Sequence, residues 1–203
     1  MDTALFKWIN RMADHTGWAH GPAEGYATYG IGLFAVLLLA AWWDARGTEE
    51  SPTAVAAVAW AGVAPLLSFV AVQIIGSAVD RARPTAAIPN MHLLLDRTDD
   101  FSFPSDHSTA VAAIAVGLLL AGHHLRHRWY GWVAAGAGVV LGFTRVYVGA
   151  HYPGDVVAGF ALGGVIAAGL APLARRALEP IARWCATSPL APLVMSSRAE
   201  PRP

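Results

Sequence analysis

An all-α fold, a polytopic membrane helix bundle, is what the sequence predicts, and three observations carry the prediction. The 203 residues are 55% hydrophobic and only 14% charged, against roughly a quarter charged in an ordinary soluble domain, and the mean hydropathy is +0.44. The apolar residues are gathered into long runs, five of which approach the about 20 residues a bilayer core requires of a helix. The ionisable residues collect in short clusters at the ends of those runs.

Along the chain, residues 3–13 are amphipathic and predict an N-terminal interfacial helix. They hold no leader-type apolar core, so the first run, Tyr26 to Trp43, reads as an uncleaved anchor. The second runs from Thr53 to about Val79, opened by Ser51-Pro52, with proline at a favourable first-turn position. The third is Ser108 to Gly122, the fourth Trp129 to Val148 and the fifth Val156 to Leu173. Arg175 to Trp184 reads as a second interfacial segment, and residues 188–203 as a disordered tail. One domain over residues 1–187, with about five transmembrane helices, follows. Gly138 with Gly142, and Gly159 with Gly163, suit close packing of the fourth and fifth helices.

Several function classes drop out. A single cysteine, Cys185, removes a disulfide framework and any Cys-based zinc spacing. Zero net charge gives no basic field for nucleic acid. His123, His124 and His127 read as a polar inner loop rather than a metal site. With the N-terminus outside, eight Lys and Arg residues fall inside and six outside, or eight against four if Arg83 and Arg145 do catalytic work. Trp42, Trp43, Trp129 and Trp132 then mark the inner interface.

Three clusters carry the chemistry: "VDRARPT" (Val79 to Thr85), "FPSDHS" (Phe103 to Ser108) and "TRVYVGAHYPGD" (Thr144 to Asp155). In the five-span topology all three fall on one membrane face. Arg83 and Arg145 offer planar, permanently charged forks for phosphate. Pro104-Ser105 starts a helix whose unpaired N–H groups favour an anion, with His107 in its first turn. His151 and Asp155 share a face four residues apart, and a carboxylate on one imidazole nitrogen leaves the other as base or nucleophile. Such a set suits phosphoryl transfer by attack of one histidine, with the other protonating the leaving oxygen.

These residues resemble the type-2 phosphatidic acid phosphatase (PAP2) superfamily. Its motifs K-x6-R-P, P-S-G-H and S-R-x5-H-x3-D are matched by Gly76-x6-Arg83-Pro84, Pro104-Ser105-Asp106-His107 and Thr144-Arg145-x5-His151-x3-Asp155. The resemblance implies His151 as nucleophile, Asp155 as its orienting partner, His107 as general acid, and Arg83, Arg145 and Ser105 as phosphate ligands, with no metal and no cofactor. Gly76 stands where the family has lysine, and Arg81, Gln73 and Arg97 are the candidates to replace it. Asp106 replaces the motif glycine, which together with His92 upstream is similar to the bacterial undecaprenyl pyrophosphate phosphatases of the BcrC type; it reads either as part of the substrate site or as a helix cap. His92, Asp96, Asp99 and Asp100 otherwise read as solvated loop residues.

The function implied is hydrolysis of a polyprenyl diphosphate in the bacterial plasma membrane, with the site on the outer face. The partners are the bilayer and a membrane-embedded lipid phosphate or diphosphate, with a homodimer left open. The alternatives are phosphatidic acid or phosphatidylglycerol phosphate as substrate, or an inactive PAP2-like lipid-binding or transport protein.

Overall fold

The structure is a computed structural model that describes residues 2–89, 91, 93–94 and 100–196. His92, Asp96, Arg97 and Asp99 lie outside the described residues. All regular structure among the described residues is helical: α1 (Asp2–Arg11), α2 (His20–Tyr29), α3 (Ile31–Ala45), α4 (Ser51–Val79), α5 (Pro84–Ala87), α6 (Asp106–Ala121), α7 (Trp129–Tyr147), α8 (Pro153–Ala186) and α9 (Ala191–Val194). The expected helix bundle is what the chain forms. By length and composition α4 and α8 suffice to cross a membrane, and α2 with α3 does so as a pair bent by 54°.

α6 is the centre of the bundle, packed against α4, α7 and α8. Its Val111, Ile114 and Leu118 are buried on one face and its Thr109, Ala113 and Gly117 on another, the pattern of an apolar helix with no water-facing side. At 16 residues it is about 24 Å long, short of a hydrocarbon core of about 30 Å, so its polar first turn is enclosed by neighbours and not by lipid. The outer surface is apolar instead: Leu66, Phe69 and Ile74 of α4 and Val157, Val165 and Leu173 of α8 are all exposed.

Four expectations are corrected. The first apolar run is broken at Gly30, so its span is the bent α2–α3 pair, anchored to α7 where the Tyr26 hydroxyl donates to the Ala137 carbonyl at 2.8 Å. Arg175 to Trp184 is no separate interfacial segment but the last turns of α8, which runs unbroken for 34 residues. α1 does more than lie at the interface. Its Phe6 and Ile9 pack with Val146, Val148 and Tyr152, and the Asp2 carboxylate accepts from Gly154 N at 2.9 Å, which caps α8. The segment expected to be a disordered tail from residue 188 is docked as far as residue 196: Val194 is buried, Trp42 Nε1 donates to the Leu193 carbonyl at 3.0 Å, and Ser196 N donates to the Arg46 carbonyl at 2.9 Å. Residues 197–203 lie outside the described residues.

The α8 glycines also pack differently from expectation. Gly142 faces Phe160 and Val156 of α8, as expected, but Gly159 and Gly163 face α6. A Cβ at Gly159 would sit 2.7 Å from the Ser105 carbonyl, and one at Gly163 would run into the Thr109 carbonyl. Both obstacles are backbone and cannot rotate away. Gly163→Ala is expected to destabilise the bundle by about 1–3 kcal/mol, the usual cost of overpacking. Gly136→Ala, whose Cβ meets nothing, should be neutral or stabilising because alanine is the better helix former. Thermal unfolding of both variants in detergent checks the contrast.

Candidate active site

The three clusters converge at one end of the bundle, each delivered by a local device. α4 ends at Asp80, whose φ of 48° is left-handed, a conformation that aspartate tolerates better than most residues. The chain then leaves as coil carrying Arg81 and Arg83. Ser105 caps α6, its Oγ accepting from Ser108 N at 3.4 Å. Gly149, at φ 88°, lets the chain reverse after α7, so that Ala150 N and His151 N both donate to the Arg145 carbonyl, at 3.0 and 3.2 Å. That turn sets His151 beneath Arg83.

His151 is fully buried, and its partners fix its tautomer. Nδ1 lies 2.8 Å from the Ser102 carbonyl, which only accepts, and Nε2 lies 3.1 Å from an Arg83 guanidinium nitrogen, which only donates. Nδ1 therefore carries the proton and Nε2 presents a lone pair. Burial, with the charges of Arg83 and Arg145 and against the opposing pull of Asp106, pushes the imidazole below its ordinary value. His151 is thus neutral at neutral pH and stays so somewhat into the acid range. An NMR titration of labelled histidines, with the His151 signal identified by its loss in His151→Ala, should give a midpoint below about 6.5; a midpoint at or above that value would contradict this placement.

Asp155 is also fully buried, but it is not in hydrogen-bond contact with His151. The closest approach, Oδ2 to Nδ1, is 3.9 Å, too long for a hydrogen bond. The direct orienting partner is the Ser102 carbonyl, a residue that sequence reasoning missed because a main-chain acceptor leaves no side-chain signature. Asp155 acts at one remove: it accepts from Ser102 Oγ at 2.6 Å, from Tyr152 N at 3.0 Å and from Arg81 at 2.5 Å. Arg81 extends the chain of contacts to Asp2 at 2.6 Å and stacks on Tyr152 at 4.0 Å. Its guanidinium is taken up by Asp155 and Asp2, and it does not line the cavity beside Gly76.

Asp106 lies between the two histidines. Its Oδ1 is 3.0 Å from His107 Nδ1 and 3.6 Å from His151 Nε2. Arg83 holds a second carboxylate, Asp100, through two bonds of 2.8 and 2.9 Å; Asp100 is an exposed loop residue, as expected, and it also lines the cavity at this site. Arg145 is buried, with one terminal nitrogen donating to the Ala27 carbonyl at 3.2 Å, while its Nε has no partner among the described residues. Ser105 is fully buried against α8, where its Oγ caps the start of α6. Among the described residues no group of three His, Cys, Asp or Glu side chains is arranged to hold a metal ion.

A cavity of about 260 Å³ opens onto this centre between α4 and residues 100–106. Asp106 and Arg83 line it, and both border His151, so the imidazole lies one side chain deep. Gly76 and Gln73 line the α4 side. A Cβ at Gly76 would meet the Phe101 ring at 3.1 Å and the Phe103 carbonyl at 3.3 Å. Phe101 thus occupies the space into which a lysine at position 76 would extend.

Fold and site together define a membrane helix bundle with a buried histidine and arginine centre at one end. The chain belongs to the PAP2 superfamily, whose family model matches residues 57–178. It is similar to the undecaprenyl-diphosphatase BcrC of Bacillus subtilis, with 32% identity over 77% of this chain and 76% of that protein. It is also similar to the bacitracin transport permease protein BcrC of Bacillus licheniformis, with 35% identity over 78% of this chain and 73% of that protein. In fold it matches the crystal structure of a transmembrane PAP2 type phosphatidylglycerolphosphate phosphatase from Bacillus subtilis, with TM-score 0.60 and 21% identity, over 86% of each chain. The chain is a membrane phosphatase of this family.

Proposed function

We propose that the protein hydrolyses a polyprenyl diphosphate, undecaprenyl pyrophosphate to undecaprenyl phosphate, at the outer face of a bacterial plasma membrane through a phosphohistidine on His151. The observation that carries the mechanism is the fixed tautomer of His151, with the Nε2 lone pair held beside the Arg83 guanidinium. The substrate class draws on the likeness to the undecaprenyl-diphosphatase over most of both chains.

In the first step Nε2 of His151 attacks the terminal phosphorus in line, and the bond from phosphorus to the bridging oxygen breaks. His107 gives a proton to that oxygen, and undecaprenyl phosphate departs. Water then attacks the phosphohistidine, losing its proton to His107, and inorganic phosphate leaves with His151 restored. Arg83 and Arg145 neutralise charge on the transferring group, joined by the N–H groups at the start of α6, which have no intrahelical acceptor.

Asp106 stands where the transferring group must come, so the carboxylate moves aside when a phosphoryl group enters. Its like charge opposes a compact phosphomonoester more than the terminal group of a diphosphate, whose second phosphate gains contacts elsewhere. Asp106→Gly is expected to raise the ratio of kcat/KM for lipid monophosphates over diphosphates by about tenfold, equivalent to ~1.4 kcal/mol. Phosphate release from matched mono- and diphosphate lipids measures this; an unchanged ratio would reduce Asp106 to a helix-start residue.

A second substrate reading draws on the likeness to phosphatidylglycerophosphatase B of Bacillus subtilis, 32% identical over 51% of this chain and 53% of that protein. A release assay on purified protein with undecaprenyl pyrophosphate, phosphatidylglycerol phosphate and phosphatidic acid, with and without chelator and vanadate, decides between them. The proposal expects the diphosphate to be preferred and vanadate to inhibit. Preference for phosphatidylglycerol phosphate would establish the second reading, and no release from any lipid would make the chain a binding or transport protein.

A further inference from the structure

A second cavity, larger than the one at the catalytic end, is remote from His151. It has a volume of about 680 Å³ and opens between the start of α4, the end of α6 and the last turns of α8. Arg175, at its mouth, lies 22 residues along α8 from Pro153, about 33 Å at 1.5 Å per residue, so the cavity belongs to the opposite membrane face. The exposed indoles of Trp43, Trp129, Trp132 and Trp184 sit at the ends of α3, α7 and α8 on that same side, the level at which aromatic belts meet headgroups.

The cavity is graded in polarity. Its depth is apolar, walled by Ala57, Trp60, Leu120 and Ala171, and its mouth carries Arg175, Arg176 and Arg183 with Glu179. That one carboxylate is shared: it accepts from Arg175 at 3.2 Å, from Arg183 at 2.5 Å and from Thr53 Oγ1 at 3.1 Å. Arg176 has no carboxylate partner among the described residues. The mouth therefore keeps two positive charges beyond those that Glu179 balances. A volume of this size falls in the range of pockets that enclose small organic ligands, and basic pockets between membrane helices recognise anionic lipid headgroups.

We propose that this cavity binds an anionic phospholipid of the leaflet opposite the catalytic end, with one acyl chain against Trp60 and the headgroup phosphate on Arg175 and Arg176. The lipid meant is a phosphodiester such as phosphatidylglycerol, which has no terminal phosphomonoester or diphosphate to cleave, so it is a resident ligand and not a substrate. Trp60 also ties α4 to α8, its Nε1 donating to the Ala167 carbonyl at 2.9 Å. A chain lying on this indole bridges the same two helices, and binding stabilises the bundle.

The test is thermal unfolding of the full chain in uncharged detergent, with dioleoyl phosphatidylglycerol, dioleoyl phosphatidylcholine or inorganic phosphate added. The expected result is a rise in Tm with phosphatidylglycerol alone. In the double variant Arg175→Gln with Arg176→Gln, the lipid concentration needed for that rise should increase about tenfold or more, with the lipid-free Tm nearly unchanged, because exposed ion pairs contribute little. His151→Ala should keep the full response. The proposal is overturned by an equal rise with phosphatidylcholine, by a rise with phosphate alone, by an unchanged response in the double variant, or by loss of the response in His151→Ala.

Discussion

Phosphate release by the His151→Ala variant should fall to background, a loss on the order of 10⁴-fold or more, as when a covalent nucleophile is removed. The size of the effect follows from position. Nε2 is the unprotonated imidazole nitrogen of His151, its lone pair turned toward the cavity-lining Arg83 at 3.1 Å, since Nδ1 is committed to the Ser102 carbonyl at 2.8 Å. His107 is no substitute: its Nδ1 is held by Asp106 at 3.0 Å, and it starts α6, which leaves it on the other side of that carboxylate. The fold should survive the change, because alanine leaves the turn at Gly149 and its bonds to the Arg145 carbonyl in place. A normal Tm with no activity is the expected pairing. Retained activity would remove His151 from the reaction.

Arg145→Ala should lower kcat by about 10²–10³, the range for loss of one preorganised donor to a developing anion. The effect follows from an unpartnered atom. Arg145 is 8% exposed, and its Nε has no hydrogen-bond partner among the described residues, although a buried donor left unsatisfied normally costs 1–3 kcal/mol, roughly. On the proposed mechanism a phosphoryl oxygen would supply the missing acceptor. Arg145→Lys keeps the charge but loses the fork, so it should recover only part of the rate. Arg83 differs, because it also holds the His151 tautomer and Asp100; replacing it would blur two roles, which makes Arg145 the cleaner test. Steady-state kinetics on both Arg145 variants checks the order wild type, lysine, alanine.

The bundle and the convergence of the site were legible because both are written in side chains. Long apolar runs report burial or lipid, and the spacing of Arg145, His151 and Asp155 survives folding because a single turn joins α7 to α8. What could not be read has physical reasons. The His151 partner is a carbonyl, and every residue has one. Asp100 and Arg83 are 17 residues apart with coil between them, so no periodicity links them. Asp2 meets Arg81 and Gly154 from the far end of the chain. Gly159 and Gly163 announce close packing, but a glycine pair does not name its partner helix, and α6 took the place expected of α7. The amphipathic pattern after Arg175 was real. It belongs to one long helix whose charged end rims a cavity, and composition cannot tell that from a helix lying at the interface.

The most direct test of the central claim is to trap the intermediate. Purified protein mixed with undecaprenyl pyrophosphate carrying a labelled terminal phosphate is quenched in alkali, where phosphohistidine survives, and the labelled peptide is sequenced. The account predicts label on His151, increased in His107→Ala because hydrolysis of the intermediate then lacks its base, and absent in His151→Ala. Steady release of labelled phosphate with no label on His151 at any quench time would contradict it.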